Sequence, residues 1–218
     1  LAYCIKTLLE DEEVSLTNYG AYLAANPPTW SAEIVSPSAW SCAHGVGRWS
    51  DNCGCTIDPK RSGQQKWRNT LRDALNSLRD EIDAFYELRA AKYGDPWTLR
   101  DRYIYDLLES PDTSKLGPLA ERAANGQDSG DLRTLLEIQR HRLMMFTSCG
   151  WFFDDPAGLE TVQILRYAQR AIALVRELDG PDLEPRFIDQ LAPMRSVASQ
   201  AATGDLIYTL VVSAAMPG

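Results

Sequence analysis

Apolar residues recur at three- and four-residue steps through most of this 218-residue chain, the period of amphipathic helices rather than of strands. In the clearest stripe, over residues 64–92, Trp67, Leu71, Ala74, Leu75, Leu78, Ile82, Phe85 and Leu88 share one face. Arg68, Arg72, Asp73, Arg79, Asp80, Asp83 and Glu87 take the others. Asp95-Pro96 then supplies a capping carboxylate and a proline at the first helical position, which predicts a helix through Leu108 stopped by Ser110-Pro111. A Gly, Asn, Asp and Ser cluster over 125–130 marks a loop, and Leu132, Leu135, Leu136, Leu143 and Phe146 define the next helix, ending near Ser148. Asp155-Pro156 repeats the capping device for a helix with Leu159, Val162, Leu165, Ala168, Ile172, Val175 and Leu178 inward, closed by Asp179-Gly180-Pro181. Two shorter helices are expected over 184–200 and 204–214. Leu1, Ile5, Leu8 and Leu9 mark one at the start, with Cys4 on its apolar face as a core residue.

Residues 27–62 break the pattern. Prolines 27, 28, 37 and 59 and glycines 45, 47 and 54 exclude a long helix there, and Glu33-Ile34-Val35 is read as one short strand. An irregular stretch of this length inside a compact domain is more often functional than accidental. Trp30, Trp40 and Trp49 argue that it is ordered, because exposed indoles on a floppy loop cost solubility. The expected fold is all-α: a bundle of about seven helices with one long ordered Cys/His/Trp-rich loop. It is read as a single domain over 1–218, excised from a longer chain because Leu1 already lies within a helical pattern.

Composition narrows the function classes. Hydrophobic and charged contents of 44% and 24% are those of an ordinary globular protein. A formal charge of -8, with 30 acidic against 22 basic residues, argues against a nucleic-acid partner, which requires a basic face. The longest apolar run, 206–216, is too short to span a bilayer, so no membrane partner is expected. Five clustered cysteines are too few for a disulfide-stapled secreted domain and favour a reducing compartment, the cytoplasm.

Most of the chemistry sits in Ser41-Cys42-Ala43-His44-Gly45-Val46-Gly47-Arg48-Trp49-Ser50-Asp51-Asn52-Cys53-Gly54-Cys55 and in Thr147-Ser148-Cys149-Gly150-Trp151-Phe152-Phe153-Asp154-Asp155. Three readings stand side by side. Cys42, His44, Cys53, Cys55 and Cys149 could ligate zinc or iron, although single-residue gaps within a ligand pair are unusual for structural zinc. His44, Arg48, Trp49, Trp151 and Asp154 could instead face a sugar, with indoles stacking on the ring and polar groups meeting its hydroxyls. Alternatively the cysteines are small buried hydrophobes and the segment a packed loop in a scaffold or dimerisation domain. Asp154, Asp155 and Glu160 are the carboxylates nearest the loop, yet Asp155 fits a helix cap and Glu160 a first-turn acid, so no catalytic pair is assigned. His141, eight residues before Cys149, is rotated away from it and is read as a solvated or interface residue. No P-loop, nucleophile elbow or dinucleotide fingerprint is present.

The segments 41–49, Cys53-Gly54-Cys55, Leu136-Glu137-Ile138-Gln139-Arg140-His141, and 147–155 through Glu160-Thr161 resemble those of a domain of unknown function, number 3536. That domain follows catalytic domains of the glycoside hydrolase family 57 type. The resemblance implies a partner in the same polypeptide, an N-terminal incomplete β/α barrel bearing the catalytic carboxylates and acting on an α-glucan oligosaccharide. None of that barrel's catalytic segments occurs here, so the resemblance carries over no catalytic residue and implies no resident cofactor. The implied role is accessory: the 40–55 loop and the 149–154 turn meet, and His44, Arg48, Trp49, Trp151 and Asp154 help wall or gate the barrel's cleft.

Overall fold

A computed structural model describes residues 1–61, 65–108, 116–198 and 202–212, with side chains for all of these but 61, 211 and 212. The chain divides into two compact units, residues 1–37 and 38–218. The first carries helices α1 (Ala2–Leu9) and α2 (Tyr19–Ala25), the latter capped by Asn18, whose side chain accepts the Ala21 N–H. Neither helix buries a residue. Cys4 is therefore exposed rather than in a core, and Trp30 is 91% exposed. Residues 33–35 are coil and not the expected strand.

The second unit is all-α. Its spine is α3 (Trp67–Ala90), which packs against α6 (Leu132–Met144), α8 (Leu159–Glu177) and α9 (Glu184–Leu191), with α6 and α8 also paired. The α3 stripe buries Trp67, Leu71, Ala74, Leu75, Leu78, Ile82, Tyr86 and Ala90. It departs from expectation after Ile82: Tyr86 is inside, Phe85 only partly so, and Leu88 is exposed. A hydrogen bond from the Tyr86 hydroxyl to the Pro96 carbonyl at 2.6 Å and the Trp97 ring at 5.7 Å hold the tyrosine there.

Helix α4 (Pro96–Leu107) starts as predicted, with Asp95 accepting the Thr98 N–H at 2.8 Å. The expected stop at Ser110-Pro111 lies outside the described residues. Leu99 and Tyr103 of α4 pack with Leu119 of α5 (Pro118–Ala124) and with Leu132 and Leu136 of α6 as a second small core. Helix α6 ends at Met144, and Cys149 opens a separate short helix, α7 (Cys149–Phe152), instead of closing the long one.

Asp155 does not cap α8, whose N-cap is Gly158. Its carboxylate accepts the Ala157 N–H, the Ala198 N–H at 2.7 Å and the Ser196 hydroxyl at 3.1 Å, tying the α7–α8 turn to the segment after α9. Glu160 lies in the first turn of α8 as expected. At the far end Asp179 takes a left-handed φ of 53° and Gly180 returns its N–H to the Val175 carbonyl. A side chain at Gly180 would collide with Val175 and Phe85. The helix expected over 184–200 stops at Leu191; a last element, α10 (Gly204–Leu206), runs into a wider turn over Ile207–Val212. There Tyr208 is buried against Phe187 and donates to Glu184. Among the described residues no helix is long and apolar enough to cross a membrane.

Candidate metal centre

Residues 38–58 have little regular structure beyond one 3-10 turn at Gly47–Trp49, yet polar bonds fix them to the helical core. The Trp49 indole N–H donates to the Ser148 carbonyl at 2.8 Å, and Arg48 donates to the Phe152 carbonyl at 3.1 Å. Arg68, fully buried on α3, donates to the carbonyls of Cys55 at 2.6 Å, Phe153 at 3.2 Å and Phe152 at 3.4 Å. Asp154, 3.6 Å from Arg68, accepts the N–H groups of Ile57 and Asp58, each at 2.9 Å to one of its oxygens. The loop and the 149–154 turn therefore meet, as the sequence led us to expect, through the Phe152 carbonyl and the Asp154 carboxylate, and Arg68 of α3 ties both to the core.

Inside that frame Cys42, His44, Cys53 and Cys55 place their ligand atoms within 4.8 Å of one another. Cys42 Sγ lies 3.8 Å from both Cys53 Sγ and Cys55 Sγ, and Cys55 Sγ lies 3.4 Å from His44 Nδ1. All are free thiols at these separations, far beyond a disulfide bond of about 2.05 Å. Sulfur ligands about 2.3 Å from a tetrahedral centre are about 3.8 Å apart, and a sulfur–nitrogen edge is slightly shorter. The three separations match those edges.

The local conformation comes from glycine. Gly45 and Gly54 adopt left-handed φ values of 67° and 77°, turning the chain between Cys42-x-His44 and Gly47 and between Cys53 and Cys55. A side chain on Gly47 would lie 3.2 Å from the Cys53 Cβ, so glycine lets the two arms approach. The turns also aim main-chain amides at sulfur. Burial would raise the Cys42 thiol, but the amides of His44 and Arg48 and the side chains of Cys53 and His44 outweigh it and bring it to about 7. Cys53 moves up, chiefly through burial and then through the adjoining Cys55 and Cys42 thiols, although the Cys55 amide opposes this. Burial and then Arg48 lower Arg68, and the nearby Cys53, Asp154 and Cys55 groups oppose that shift.

The other candidate residues have different fates. Cys149 is exposed and outside the four-residue cluster, so it leaves the ligand set. Trp151 is wholly buried, stacked on Phe146 and bonded through its N–H to the Arg68 carbonyl, while Arg48 and Asp154 are 4% and 7% exposed. These three cannot present an open sugar-binding face, because their polar and aromatic surfaces are already used in packing. His44 is exposed and Trp49 partly so. An exposed indole of this unit is Trp40, 5.8 Å from the Phe152 ring. His141 is half-buried against Tyr167, its Nε2 3.8 Å from Glu137, and burial lowers its basicity. Arg68, assigned to the wet face of α3, is the functional residue that sequence reasoning missed. Its signal was present, since 68, 71, 75, 78 and 82 form an unbroken three-and-four series.

The second unit is thus an all-α domain with a Cys/His-lined loop pinned to its core. Residues 64–217, well over half of the chain, match the model of a domain of unknown function, DUF3536, and the chain belongs to that family. The four-residue cluster lies just before the matched span. No curated protein and no solved structure matches the chain.

Proposed function

We propose that Cys42, His44, Cys53 and Cys55 hold one zinc ion and that the domain is a metal-stapled structural module. The single observation carrying this reading is that three sulfurs and one imidazole nitrogen lie within 4.8 Å of one another, three of the separations being 3.4–3.8 Å. Three cysteines and one histidine form a closed structural zinc set with no coordination position left for substrate. Zinc would supply cross-linking of the two loop arms, and the protein groups supply the frame: amides to sulfur, Arg68 to the Cys55 carbonyl, Asp154 to the Ile57 and Asp58 amides. Elemental analysis of untagged protein should give about one zinc per chain, the load of a single four-ligand site. Chelation should lower the melting temperature, and Cys53→Ser should abolish both. Iron at that stoichiometry would replace zinc in the reading. Absence of metal, together with no thermal response to added zinc, would overturn it.

A wider role is part of the proposal. The family resemblance supports an accessory position beside an N-terminal glycoside hydrolase family 57-type barrel, and the 90% exposed Trp40 ring offers an indole to an α-glucan oligosaccharide. In a polypeptide carrying that barrel, Trp40→Ala should weaken oligosaccharide binding and leave zinc content intact. Unchanged binding and turnover would leave a scaffold.

A further inference from the structure

We propose that Arg48 and Arg68 are the built-in counter-charge of the metal loop, which tunes it to a divalent ion held by three thiolates and one neutral imidazole. This inference rests on the zinc reading and names the residues that set the charge of the same site. Both guanidinium groups are interior, at 4% and 0% exposure, and the Nε of each is buried without a hydrogen-bond partner. Among the described residues one carboxylate, Asp154, is buried; it lies 3.6 Å from Arg68, and the loop amides of Ile57 and Asp58 already engage it. Asp51 is exposed and Asp58 partly so, where water screens them. Arg72 is directed elsewhere, over the Trp151 and Phe146 rings and to the Trp49 carbonyl.

Two interior cations against one interior anion leave one positive charge unbalanced when the thiols are protonated. The carbonyls of Cys55, Phe152 and Phe153 solvate that charge without cancelling it. A divalent ion bound by three thiolates and a neutral imidazole carries one net negative charge. A loaded site of that charge cancels the excess carried by the two arginines. The same carbonyl of Phe152 receives both arginines, and Arg68 also holds the carbonyl of the ligand residue Cys55, so the counter-charge is attached to the ligand frame itself.

The test compares the intact chain with Arg48→Gln, Arg48→Lys and, as a control on a distant ion pair with Asp83, Arg142→Gln. Zinc affinity is read at fixed pH by competition with a chromophoric chelator, cobalt spectra report thiolate ligation, and melting is followed with and without zinc. We expect R48Q to bind zinc roughly 10- to 100-fold more weakly, the usual cost of removing a group that supports metal ligands. Its tetrahedral cobalt–thiolate spectrum should persist, and its stability loss should appear only with zinc bound. R48K and R142Q should keep near-normal affinity. R48Q binding zinc as tightly as the parent, or losing equal stability with and without metal, would overturn the counter-charge and leave the zinc reading standing. Failure of the parent chain to bind zinc would overturn both.

Discussion

The helical core and the 38–58 loop are both ordered, but opposite chemistry orders them. Around α3, α6 and α8 the interior is Leu, Ile, Ala and aromatic surface removed from water, a non-directional force that tolerates a shift such as Phe85 giving way to Tyr86. Under the loop the interior is Arg48, Arg68, Gln65 and Asp154, held by bonds of fixed direction to carbonyls and amides. A loop poor in apolar side chains cannot fold by burial alone. It has to be tied, and each tie is costly to break because it leaves an interior polar group behind.

That contrast can be broken most strongly at Asp154. Removing this carboxylate in Asp154→Ala leaves Arg68 without its buried anion and two loop amides unpaired, so chemical denaturation should show a loss of about 3–5 kcal/mol. A loss no greater than that of an exposed substitution would mean that the loop is not fixed through this pair. A smaller effect is expected at Asp95, whose described task is to cap α4 at the Thr98 N–H; Asp95→Ala should lower stability by less than Asp154→Ala in the same measurement. The smallest concerns His141. Burial first, offset by Glu137, lowers its folded-state pKa below the ordinary value of 6.5. The unfolded chain then binds the proton more readily, so His141 contributes stability above that value and loses it as pH falls toward the folded value. Melting curves from pH 7 to 5 should therefore be flatter for His141→Gln; identical slopes would remove the histidine from the account.

The helices that were legible in the sequence are those whose signals are local. The stripe from Trp67 to Ile82, the Asp95-Pro96 start and the inward face of α8 follow from periodicity and capping within a few residues. Asp155-Pro156 looked like the same device as Asp95-Pro96, yet Asp155 binds Ser196 and Ala198, partners more than forty positions away that no local pattern announces. The four clustered residues, Cys42, His44, Cys53 and Cys55, were recognised by residue type, while Cys149 was included because sequence carries no direction. Arg68 was assigned by charge to the solvent face although its position in the three-and-four series placed it inside.

Residue identity and spacing alone determined that this chain would be helical, where its long helices lie and that its reactive side chains are concentrated in one irregular segment. Helical period and turn chemistry act over a handful of bonds. Tertiary structure decided which thiols cluster with the His44 nitrogen, that Trp151 is a core residue, and that the side chains of Arg48 in the loop and Arg68 on α3 are buried. Those outcomes depend on the main-chain carbonyls of 55, 152 and 153 and the amide of 57 meeting the side chains of Arg48, Arg68 and Asp154. Every residue carries such groups, so only folding selects among them.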